Sequence, residues 1–175
     1  KGLVVFQFSI AIVLIAFTTL VLQQLNFIQN RNIGINREQV VSIDLKGIGG
    51  KAGALLNTIK ANPKVKHASM NSFSFKGIAN ITVLPEGFAQ TELTGCPVIS
   101  VDEEFFNTMG ITLVEGRNFS KAFPTDVNEA FIVNETAVKE FRWKTPKQAI
   151  GKKVDWAYGK SGKIIGVVKD FNFSS

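Results

Sequence analysis

The stretch that decides the fold is Leu3 to Leu22, LVVFQFSIAIVLIAFTTLVL. It sits inside a longer run, Gly2 to Asn30, that holds no charged residue. About 20 apolar residues in a helix cross the hydrocarbon core of a bilayer. A helix also pairs its own backbone groups, as lipid demands. A cleaved signal peptide has a shorter apolar stretch and a small-residue cleavage site, and Ala16-Phe17-Thr18 is a poor one. A helix from a soluble core shows a polar face, whereas Leu3 to Ile15 offers only Gln7 and Ser9. The reading is therefore a transmembrane helix.

Beyond Leu22 the pattern changes. Leu22, Leu25 and Ile28 recur every three residues, and Gln23, Gln24, Asn26, Gln29 and Asn30 fill the other faces except at Phe27. This spacing predicts an amphipathic continuation that needs a partner helix or the membrane surface, a stalk above the lipid. Twenty-nine residues at about 1.5 Å each span roughly 43 Å, more than the hydrocarbon core. Lys1 on one side and Arg31 and Arg37 on the other leave the orientation undecided by flanking charge.

The remaining residues, 31–175, amount to one domain. The chain is 45% hydrophobic and 19% charged, and its fifteen Phe supply a core, which excludes disorder. The first residue is Lys1 and the last are Phe171-Asn172-Phe173-Ser174-Ser175, so the chain reads as a piece of a longer protein. Gly34 and the polar stretch Asn36-Arg37-Glu38 end the first helix, and Val40 to Leu45 reads as a strand. A helix over Ala52 to Ala61 stops at Asn62-Pro63, and Val65 to Phe75 reads as a second strand, together a β-α-β unit. Ile81 to Leu84 and Glu92 to Val101 are strands. Asp102 caps a short helix through Phe105, Phe106 and Met109, closed by Gly110, and Ile111 to Val114 completes a second β-α-β unit. Ala130 to Val133 is a strand, and Asn134 caps a helix through Ala137, Val138 and Phe141. Lys153 to Trp156 and Lys163 to Lys169 form a hairpin. The fold class is α+β, a mixed domain carried by an N-terminal transmembrane helix.

Chemistry is sparse. The net charge of +6 is spread along the chain with no basic run interleaved with aromatics, which argues against nucleic acid. One cysteine, Cys96, and one histidine, His67, make no zinc site, and Cys96 reads as a buried thiol. Gly47-Ile48-Gly49-Gly50-Lys51-Ala52-Gly53 lies between a strand and a helix, where a phosphate loop sits. Position 52 is Ala, and Gly50-Lys51 is followed by Ala, so neither nucleotide-binding template fits. Asp102-Glu103-Glu104 complement a helix dipole more simply than they serve acid–base work. His67 has no evident acidic or nucleophilic partner in sequence, and Asp170 suits a strand-end turn. No catalytic, cofactor-binding or metal site is expected, and the chain reads as no enzyme.

Several segments carry a resemblance. Val4 to Ile15 followed by Gln23-Gln24-Leu25-Asn26-Phe27-Ile28 resembles an opening helix of permease subunits of MacB/FtsX-type ABC transporters, in the versions common in Bacteroidota. Asn62-Pro63-Lys64-Val65, Gly110-Ile111 through Glu115-Gly116-Arg117-Asn118-Phe119, Asn134-Glu135-Thr136-Ala137, Ile150-Gly151-Lys152 and Gly166-Val167-Val168-Lys169-Asp170-Phe171 resemble later segments of that family in order. The resemblance implies that Lys1 faces the cytoplasm and that residues 31–175 form a periplasmic core domain, cut short at its C-terminus. It also implies a permease homodimer in the inner membrane and an ABC ATPase, fused or separate, that binds ATP outside this chain. A periplasmic partner protein, and export (efflux) or signalling by mechanotransmission through Leu22, Leu25 and Ile28, follow from the same resemblance. A membrane-anchored sensor or ligand-binding domain is the other reading. Further hydrophobic spans in the reading frame favour the permease; an output domain favours the sensor.

Overall fold

The computed structural model describes residues 2–30, 34–35, 39–45, 47–72, 79–157 and 159–171. The chain divides into two units, one holding the first helix and a larger one beginning at Gly34.

Helix α1 is Gly2–Asn30. Its apolar side chains point outward on every side: Leu3, Phe8, Ile15 and Phe17 are each more than 60% exposed. Its few hydroxyls stay inside the helix. Ser9 Oγ donates to the Val5 carbonyl at 2.9 Å, Thr18 Oγ1 to Leu14 at 2.8 Å and Thr19 Oγ1 to Ile15 at 2.8 Å, the back-bonding that lets such residues sit in an apolar helix.

In the larger unit Val40 to Leu45 forms no strand. Val41 is 81% exposed and Ile43 57%. Strand propensity reflects fit to a paired, half-buried surface, and this run has no such surface among the described residues. A 3-10 turn, Gly49–Lys51, leads into α2, Ala52–Lys60, close to the expected helix. Of the strand expected over Val65 to Phe75, only an antiparallel bridge between Asn71 and Val101 forms, and residues 73–78 lie outside those described. The first expected β-α-β unit is therefore not formed by the described residues.

Six strands make one sheet: β1 Ala79–Pro85, β2 Thr94–Val98, β3 Leu113–Gly116, β4 Ala130–Asn134, β5 Lys153–Trp156 and β6 Ser161–Val168. The order is β2-β1-β5-β6-β3, with β4 paired to β6. All neighbours are antiparallel except β4 and β6, which run parallel from Ala130↔Lys163 to Asn134↔Val168. The α+β class holds, but its crossover lies elsewhere than expected. The strands around α3, Phe105–Met109, are β2 and β3, which have three strands between them in the sheet and do not pair. The parallel connection instead runs from β4 through α5, Glu135–Glu140, and α6, Pro146–Ala149, and returns by the expected hairpin β5–β6.

β6 organises the core. One apolar cluster joins α5 and α6 to the sheet through Val138, Phe141, Trp143, Ala149, Ile164 and Val167. Phe141 and Trp143 meet edge to face at 5.2 Å, the favoured geometry for a ring quadrupole pair. A second cluster sets Phe105, Phe106 and Ile111 against Val168, with Ile35, Phe119 and Phe171 packed on it. Val167 and Val168 thus serve opposite clusters, as the alternation of a strand requires. Short α4, Asp126–Glu129, precedes β4.

Candidate functional site

On α1 the three stalk positions are followed as far as the structure describes them. Leu22 is 60% exposed and Leu25 is 48% exposed. Ile28 lies within the helix, and its side chain is outside the described residues. Gly2–Phe27 is long and apolar enough to cross a membrane, alone in this among the described residues.

In the larger unit, three segments separated in sequence converge on β6. Gly116 has φ +79°, and a Cβ there would run into the Ile165 carbonyl, so only glycine brings the backbones this close. Arg117 N–H then donates to that carbonyl at 2.9 Å. On the facing strand, a Cβ at Gly166 would lie 2.5 Å from the Arg117 carbonyl oxygen. Gly151 N–H donates to the Ile164 carbonyl at 2.8 Å. Asn134 caps α5 as expected, its Oδ1 accepting from Ala137 N–H at 3.0 Å. Asp170 reaches the same helix end. It accepts from Thr136 N–H at 2.8 Å and from the Thr136 hydroxyl at 2.9 Å. Asp170 is thus a second cap of α5 rather than a strand-end turn residue. The separation of 34 positions between the partners hides this pairing from sequence.

A charged group absent from the sequence reading sits beside these segments. Arg117 makes two bonds, 2.6 and 2.7 Å, to the carboxylate of Asp126, which is only 6% exposed. The fork geometry suits a guanidinium and a carboxylate. The bond to Arg117 holds the Asp126 carboxyl below the usual range, helped by Ser120 N–H. Phe123 covers the guanidinium at 4.0 Å. Lys160 Nζ donates to the Ala130 carbonyl at 2.9 Å over the Phe131 ring, and burial pulls its pKa down while Asp126 opposes the shift. Every charge here has a structural partner.

The other sequence candidates are dispersed. Cβ atoms built on Gly47, Gly50 and Gly53 meet nothing within 4 Å among the described residues. Asp102 does not cap α3 directly. Its Oδ1 accepts from Glu104 N–H at 3.1 Å and its Oδ2 from Met70 N–H at 2.8 Å, a tie to the residue 32 positions earlier, because the helix starts three residues later, at Phe105. Glu103 pairs with Lys121 at 2.7 Å, which lowers its pKa. His67 lies outside any strand and does have an acidic neighbour, Glu104, 3.7 Å from its Nδ1, brought there by the fold. Cys96 is half-buried on the edge strand β2, and burial, then Glu140, pushes its thiol up. Among the described residues no three His, Cys, Asp or Glu side chains are placed to hold a metal ion. A shallow depression of about 190 Å³ lies between Leu84, Phe88, Lys153 and Asp155, below the size of ordinary ligand sites. Glu86 on its rim is taken by Lys152 at 2.6 Å and by Lys153 N–H at 3.0 Å, which lower its pKa in that order. The arrangement ties together segments that lie far apart in sequence.

The family profile of the MacB-like periplasmic core domain matches residues 6–175, through both the helix and the sheet. The chain belongs to this family. The core domain shares its fold with the periplasmic region of MacB from Actinobacillus actinomycetemcomitans, at a TM-score of 0.51 and 16% identity over 69% of this chain and 51% of that one. A domain assigned to a permease protein from Porphyromonas gingivalis matches equally, at 0.51 and 15% identity over 67% of this chain and 50% of that one. The MacB-like chain therefore spans about half the length of the solved structures it matches. No curated protein is significantly similar to it in sequence. The expected resemblance to a MacB-type permease with an N-terminal helix holds.

Proposed function

We propose that this MacB-like chain is part of the permease subunit of an ABC transporter in the inner membrane. Residues 1–30 serve as transmembrane anchor and stalk, and residues 31–175 as the core domain in the periplasm. The domain has no cofactor of its own and carries no catalysis. ATP is bound and hydrolysed by a cytoplasmic ATPase, fused or separate, and two permeases work as a pair. Hydrolysis moves the membrane helix, and the stalk passes that movement to the periplasmic domain, which expels a substrate or acts on a periplasmic partner.

The observation that carries this reading is the family match that runs through the apolar helix into the sheet domain. Side-chain ties between segments far apart in sequence, such as Arg117 to Asp126 and Asp170 to Thr136, agree with a mechanical role, since switching needs rigid bodies joined at a moving element. The test replaces Leu25 and Ile28 with Asp in the full-length protein. Placing carboxylates on the stalk's apolar stripe is expected to abolish coupling between ATP hydrolysis and transport while the protein still resists alkaline carbonate extraction. Unchanged coupling overturns the stalk's role.

A further inference from the structure

The point where the core domain receives its link from the membrane helix is also where β6 ends. Only residues 31–33 separate the end of α1 from Gly34 in sequence. Gly34 has φ +74°, and a Cβ there would lie 2.5 Å from the Asp170 carbonyl oxygen and 3.0 Å from Phe171 Cα. The contact is backbone against backbone, which glycine alone allows. The next residue, Ile35, packs on the same cluster as Phe171, with Phe105, Phe106, Ile111 and Val168.

What Gly34 and Ile35 touch is fixed to the rest of the domain by short bonds. Val168 pairs with Leu113 of β3 and Asn134 of β4. Lys169 N–H donates to the Thr112 carbonyl at 2.9 Å. Asp170 holds the start of α5 through Thr136 N–H at 2.8 Å and the Thr136 hydroxyl at 2.9 Å. A close-packed interior yields little to compression, so a displacement of Gly34–Ile35 is passed on rather than absorbed.

We propose that Gly34–Ile35 and Asp170–Phe171 form a clasp through which movement of the membrane helix enters the core domain and reaches α5. The proposal rests on the permease reading and names the joint that reading requires. The route runs from Gly34 to the backbone of Asp170 and Phe171, and from the Asp170 carboxylate to Thr136. Val154, in the other cluster, is off the route.

The experiment uses the full-length protein with its ATPase in nanodiscs and follows hydrogen exchange at the α5 amides, with and without ATP and vanadate. In the wild type, ATP and vanadate are expected to change α5 exchange. In the double variant Ile35→Ala/Phe171→Ala, and separately in Asp170→Ala, that change is expected to be lost, with ATP hydrolysis continuing and β6 amides still protected. Should the double variant lose β6 protection, Asp170→Ala decides alone, because Asp170 is exposed and belongs to neither apolar cluster. Val154→Ala weakens the core without touching the clasp and is expected to keep the response. A full response in Asp170→Ala, or its loss in Val154→Ala, overturns the clasp and leaves the permease reading standing. A wild type whose domain shows no response to ATP overturns the permease reading, and the clasp with it.

Discussion

Helix α1 and the β6-centred core are opposites in what holds them. α1 satisfies its backbone and hydroxyls within itself and turns its apolar side chains outward. The core turns Phe105, Ile164, Val167 and Val168 inward, each no more than 2% exposed, and the one charge buried among its described residues, Asp126, is paired with Arg117. The same residue types are exposed in one region and buried in the other. The difference teaches that apolar content says only that a surface must leave water. Period and length decide whether lipid or other protein receives it.

The largest effect expected from breaking this contrast comes from Phe141→Ala. Removing a ring that is 2% exposed is expected to destabilise the core domain by about 3–5 kcal/mol, read by urea unfolding through Trp143 fluorescence. Leu14→Arg on α1 is expected to leave that unfolding curve unchanged and to cost about 2.5–3.5 kcal/mol in membrane insertion, read by carbonate extraction. A shift of the domain's unfolding curve by Leu14→Arg would break the separation.

Arg117→Ala leaves a buried carboxylate without its fork and is expected to cost about 1–3 kcal/mol. The Asp126 carboxyl is held low in the folded domain, so its contribution is present above the ordinary aspartate value of about 4 and is lost as pH falls through the depressed one. The stability gap between wild type and Asp126→Asn should therefore narrow as the solution is acidified below that ordinary value. A gap that widens on acidification contradicts the pairing. Asn134→Ala removes one cap of α5 and is expected to cost about 1 kcal/mol. The smallest effect belongs to Lys121→Ala, whose ion pair with Glu103 is open to solvent and is worth about 0–1 kcal/mol.

Much of the domain was legible. Ile81 to Leu84, Ala130 to Val133 and the hairpin Lys153 to Lys169 announce themselves by strand pattern and turn residues, and Asn134 and Gly110 mark helix ends by local chemistry. Val40 to Leu45 has the same composition and forms no strand, because composition does not supply a neighbour. Leu22, Leu25 and Ile28 read as a stripe in sequence, whereas the contact of Gly34 with Asp170 leaves no such mark. Gly34 and Asp170 are ordinary loop residues until the chain returns to bring them together.

The sequence by itself determined what is local: the apolar helix, the Asn134 cap, the hairpin, and the lack of any nucleotide-binding spacing at Gly47 to Gly53. These follow from side-chain transfer energies and from backbone rules over a few residues. Only the tertiary structure decided which strand became central, that β4 and β6 rather than the strands of either expected β-α-β unit run parallel, and that Arg117 meets Asp126 and Asp170 meets Thr136. Those outcomes depend on contacts between residues far apart in the chain, where many pairings share one local pattern and the packing of the whole selects among them.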